Sequence, residues 1–149
     1  MSIEKNNKVT IVTDDNLGEC YSEFYEYYWE KKCNKGAVNV TFNEYVNSNC
    51  FLKLLDDMKN KLSDYNQSYG MIFSEDYDDP YDEFYFGENV ICFFSGLGYD
   101  DDVEDIIGYE EFYKYLVPAC EFYVERRHPE HKEIVEQKLK EIREAYGLK

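Results

Sequence analysis

The chain has 149 residues, enough for one domain (1–149) that buries roughly 70% of its unfolded surface on folding. Apolar residues make up 44% and aromatics 18%, a composition that excludes a disordered acidic tail. A net charge of −16 excludes direct binding of nucleic acid, because the molecule as a whole repels phosphate.

In chain order, Met1–Lys8 is polar and has no signal-peptide character. The β-branched run Lys8–Thr13 predicts a strand. From Asp14 to Lys32, Leu17, Cys20, Tyr21, Phe24 and Tyr28 recur three or four apart, which predicts an amphipathic helix stopped by Gly36. Thr41-Phe42-Asn43-Glu44 has capping-box spacing, so a second helix is expected to start there. It would bury Phe51, Leu55, Met58 and Leu62, with Asn47–Asn49 interrupting its first turns.

Tyr69–Ser74, Glu83–Phe86 and Val90–Ser95 read as strands of an antiparallel meander, the last two joined by a hairpin turn at Gly87–Asn89. Tyr109–Arg126 is a helix with Phe112, Leu116, Cys120 and Tyr123 on one face and Pro118 expected to kink it. His128-Pro129 opens the last helix, which buries Val135, Leu139, Ile142 and Tyr146 and stops at Gly147. The predicted fold is α+β, a small antiparallel sheet of about four strands packed with about four helices. The longest apolar run, Val90–Phe94, is far below the roughly 20 residues of a membrane span, so the protein is expected in the cytoplasm.

Charge is segregated along the chain. Residues 1–61 carry a net −2 and residues 114–149 a net +1, while residues 62–113 hold 15 acids and no Lys, Arg or His. Carboxylates without interspersed cations repel one another, so the block reads as a docking surface for a basic partner. Its expected contacts are Asp76, Asp78, Asp79 and Asp82 in one loop and Asp100, Asp101, Asp102 and Glu104 in the next. Tyr77, Tyr81 and Tyr99 interleave as anchors, since Tyr brings contact area at low entropic cost. A surface of this charge imitates RNA or DNA phosphate, which makes a basic nuclease the natural target.

Other chemistry finds little support. No nucleophile elbow or phosphate-binding glycine motif occurs, and an enzyme is not expected, although an unrecognised carboxylate hydrolase site is an alternative. Asp100, Asp102, Glu104 and Glu111 fall at positions 1, 3, 5 and 12 of a calcium loop, but Asp105 stands where the turn needs Gly. Calcium binding through Asp100–Glu111 is therefore the other alternative. His128, His131 and Cys120 have no zinc-ligand spacing, so no metal or other cofactor is assigned. The five cysteines are an odd, widely spaced set that reads as reduced structural thiols.

The run Tyr109-Glu110-Glu111-Phe112-Tyr113-Lys114-Tyr115-Leu116, followed by Tyr123, Pro129, Ile134 and Leu139, resembles the immunity proteins of bacterial contact-dependent growth inhibition systems. The likeness is strongest to those that neutralise ribonuclease toxins, and it covers roughly residues 105–147. It implies an inhibitor that binds the C-terminal toxin domain tightly and blocks its RNA-binding or active-site cleft. The matched positions are mostly apolar and speak to the fold. They transfer no binding residue.

Overall fold

A computed structural model describes residues 9–96 and 103–148. The elements are helices α1 (Leu17–Tyr28), α2 (Gly36–Val46) and α3 (Phe51–Lys59), strands β1 (Asp64–Tyr65), β2 (Tyr69–Phe73), β3 (Val90–Ser95) and β4 (Val103–Gly108), and helices α4 (Tyr109–Arg126) and α5 (Lys132–Ala145). Short 3-10 turns cover Ser74–Tyr77 and Pro129–His131. The four strands form one antiparallel meander in the order β1-β2-β3-β4. This is the expected α+β fold.

Period-two alternation sends one side chain set inward. Met71 and Phe93 pair in register, as do Phe73, Ile91 and Ile107 across three strands, and all five are buried. Helices α2 and α4 cover that face through Phe42 and Phe112. The Phe93 ring lies 5.5 Å from Phe42 edge-on and 6.0 Å from Phe112 stacked, geometries that suit the aromatic quadrupole. Tyr28, buried at the end of α1, donates its hydroxyl to the Tyr115 carbonyl at 2.8 Å and ties α1 to α4.

Four local expectations fail for identifiable reasons. Val9–Thr13 is no strand: Thr10 N–H donates to the Arg126 carbonyl, and β-branched residues without a neighbouring sheet edge have nothing to pair with. The first helix stops at Tyr28, before a left-handed Glu30 (φ 64°), and Gly36 begins α2 rather than ending α1. Thr41 caps nothing, since it lies buried in mid-helix, and Leu62 is exposed beyond the end of α3. Glu83–Phe86 is a turn running into irregular chain, so Gly87–Asn89 joins no hairpin, and β2 pairs directly with β3 across the long 74–89 connection.

The start of α2 is fixed from a distance. Asp105, inward-facing on β4, accepts the Ala37 and Val38 N–H groups with one oxygen at 2.7 and 3.3 Å. That carboxylate serves as the helix cap no residue near Gly36 supplies. The expected loop at Glu104 and Asp105 is therefore strand β4. Of the twelve-residue calcium loop, Asp100 and Asp102 lie outside the described residues, Val103–Gly108 is extended, and Glu111 in α4 accepts a hydrogen bond from Tyr115. Helix α4 runs uninterrupted through Pro118, and α5 buries Val135 and Ile142 before Gly147 turns left-handed (φ 70°). No helix among the described residues is long and apolar enough to cross a membrane.

Candidate functional site

The 74–89 connection is built on a pinned base. Ser63 Oγ donates to Asp76 and accepts the Phe73 N–H, while the Val90 N–H donates to the buried Ser74 Oγ at 3.1 Å. Tyr109 Oη donates to Glu75 Oε2, and Lys61 stands 3.6 Å from the same carboxylate. The 3-10 turn Ser74–Tyr77 is thus held by β2, by β3 and by the first turn of α4.

Beyond that base the chain folds on itself through short polar side chains. Asp79 Oδ1 accepts the Tyr81 N–H at 3.0 Å, and Asp82 Oδ1 accepts the Phe84 N–H at 2.8 Å. These Asx turns explain why positions 79 and 82 carry Asp rather than Glu: the short side chain reaches its own backbone two residues on. Tyr77 packs against Phe84 and Phe86, centroids 5.7 and 6.4 Å away, and is half-buried. It props the loop from within. Tyr81 is 95% exposed and Phe84 60%, the largest apolar surfaces the segment offers.

Where the segment returns to β3, Ser74, Glu75, Asp78, Gly87, Glu88 and Asn89 line an open cleft of about 180 Å³. Gly87 (φ 130°) and Asn89 (φ 57°) make the turn that closes its floor, conformations these two residue types tolerate. Three carboxylates face a space sized for one side chain head group. Among the described residues of the acidic block, Glu75 is the one carboxylate with a cation within 4 Å. Other cations of the flanking thirds pair with acids outside the block, as in Lys138–Asp56 and Arg126–Glu23.

The expected contact residues therefore divide. Asp76, Asp78, Asp79, Tyr81 and Asp82 are exposed together on this segment, with Tyr77 behind them. Glu104 is exposed on β4 opposite Phe94, at the end of the sheet away from the segment. The meander imposes this separation, since the connections before and after the six-residue β3 leave from opposite ends, roughly 17–20 Å apart. Tyr99, Asp100, Asp101 and Asp102 lie outside the described residues. Sequence reading missed Phe84, which it placed in a strand, and Glu88. An apolar residue embedded among acids was the available signal.

A family model described as CDI immunity protein matches residues 30–139, from the turn after α1 to within α5. No curated protein matches the chain.

Proposed function

The chain belongs to the CDI immunity protein family, whose role is to neutralise a cognate toxin, and we propose that it does so by laying the 74–89 segment against a basic nuclease domain, a ribonuclease in the leading reading. The observation that carries this is the exposed pair Tyr81 and Phe84 set among carboxylates of which Glu75 alone is ion-paired. Asp78 and Glu88 would take a Lys or Arg head in the cleft, and Tyr81 would supply the central apolar anchor. Occupying the surface that the toxin uses for nucleic acid blocks the reaction without any chemistry by the inhibitor. A partner face of about 800 Å² is wide enough to reach Glu104 as well. In this reading the partner is a protein, with no role for nucleic acid, membrane or cofactor, and the inhibitor works in the cytoplasm, where such a toxin acts.

The test is association with the purified toxin domain as a function of salt. Charge steering raises rates towards ~10⁸–10⁹ M⁻¹s⁻¹ at low ionic strength. Asp76, Asp78 and Asp79 replaced together by Asn keep turn-forming oxygens and lose only charge, so association is expected to slow and its salt dependence to flatten. Tyr81→Ala is expected to act on dissociation instead. Wild-type on-rates that do not change from low to high salt would rule the segment out.

A further inference from the structure

Beyond toxin binding, a second cluster sits where α4 hands over to α5. His128, Glu130 and His131 each present one ligand atom, and the three atoms lie within 4.8 Å of one another. Both imidazoles approach the same carboxylate oxygen. His128 Nδ1 is 2.8 Å and His131 Nε2 3.9 Å from Glu130 Oε2. We propose that His128, Glu130 and His131 form a binding site for a divalent ion of zinc's class, with the remaining position open to water.

The chemistry of the set is that of a two-imidazole, one-carboxylate zinc site. At bond lengths of about 2.0–2.2 Å, tetrahedral ligands stand roughly 3.3 Å apart. The His128–Glu130 separation must open by about half an ångström to accommodate this, and the Glu130–His131 separation must close by about the same. Side-chain rotation covers both, because His128 and Glu130 are 42% and 63% exposed. The ring planes, now 4.7 Å apart and stacked within 18°, would tilt towards the shared oxygen.

The outer shell is present too. Tyr123 Oη lies 2.8 Å from His131 Nδ1, so a proton on Nδ1 donated to the phenol oxygen leaves the Nε2 lone pair facing Glu130. A ligating histidine characteristically donates its other N–H in this way. Tyr123 is itself fixed, 3% exposed in α4 with its ring 4.5 Å from Phe51. Cys120, the thiol nearest in sequence, is buried in the core. The third ligand is the glutamate between the histidines.

Zinc chloride titrated calorimetrically into the full chain, without a histidine tag and with thiols reduced, is expected to show one equivalent bound at micromolar dissociation constant. His131→Ala and Glu130→Gln should each weaken binding at least tenfold, and Tyr123→Phe, which keeps the packing on Phe51, by about tenfold through the lost outer-shell bond. Cobalt in place of zinc should give a tetrahedral visible spectrum that His128→Ala abolishes. Unchanged circular dichroism of each variant separates ligation from folding. The proposal is overturned if no ion binds at a hundred micromolar, or if binding survives His131→Ala and disappears in Cys50→Ser, which would assign the ion to the exposed thiol.

Discussion

Arg127 is 3% exposed, and each of its three guanidinium nitrogens is directed at a protein acceptor. Nε donates to Asn47 Oδ1 at 2.9 Å, Nη1 meets Glu23 at 3.0 Å and the Arg126 carbonyl at 3.1 Å, and Nη2 reaches the Cys20 carbonyl at 3.5 Å. The guanidinium also lies 4.8 Å over the Phe122 ring. This one side chain joins α1, the end of α2 and the end of α4. A lysine cannot replace it, because a point charge lacks the planar fork that serves several acceptors. Arg127→Ala leaves Asn47 Oδ1 and the Cys20 carbonyl without this donor, while Glu23 keeps Arg126, and is expected to cost about 1–3 kcal/mol, read as a lower urea midpoint at unchanged slope. Arg127→Met, which restores packing but no donor, should recover only the packing part of the loss. If Arg127→Met is as unstable as Arg127→Ala, the unmet Asn47 and Cys20 acceptors rather than lost packing are responsible. In the sequence, Arg126-Arg127 was merely a short basic stretch diluted by glutamates, since nothing local marks a cation that will be enclosed.

Helix α2 shows at the scale of one element what distant contacts decide. Its first residues, Gly36 and Ala37, follow a lysine in extended conformation with no side-chain cap. Without Asp105 its leading N–H groups would be orphaned beside β4. Asp105→Ala is therefore expected to cost about 1–2 kcal/mol, lowering Tm by roughly 3–6 °C, with hydrogen exchange accelerated first at Ala37 and Val38. Asp105→Asn, which keeps an acceptor, should lose less. Equal exchange throughout α2 would mean that sheet packing, not the carboxylate, sets the helix start. This dependence explains the pattern of legible elements. Helices α4 and α5 follow their own 3.6-residue periodicity and β2 and β3 their own apolar runs, so they stand where the sequence puts them. Strand β4, Val-Glu-Asp-Ile-Ile-Gly, has one acid, Asp105, at an inward position where a strand pattern wants an apolar residue, and that acid is spent on α2. The acidic block was legible as charge, and its spread over opposite ends of β3 was not, because strand register is a property of the sheet.

For the molecule as a whole, the dominant titration is that of its buried aromatic and thiol acids. Burial raises the Tyr21 and Tyr27 phenols to about 12, and lifts those of Tyr28, Tyr45 and Tyr146 further. The same cause puts the Cys33 thiol at about 11 and the Cys92 thiol at about 12. In the unfolded chain these groups release protons near their ordinary values, about 8.5 for Cys and 10 for Tyr. Between the unfolded and folded values the native state holds more protons, so the free energy of unfolding falls as pH rises. Below the unfolded values the contribution is fully present. Urea midpoints are therefore expected to stay flat up to about pH 8.5, decline slightly as thiolates become available, and drop steeply from about pH 10. The rising negative charge of a molecule already at −16 adds self-repulsion in the same direction. Tyrosinate absorbance should then rise together with the loss of near-ultraviolet circular dichroism, in one cooperative step above about pH 11. Core phenols that ionise around pH 10 while the tertiary signal persists would show that water reaches Tyr28 and Tyr45, and that the aromatic layer between α1, α2 and the sheet is not closed.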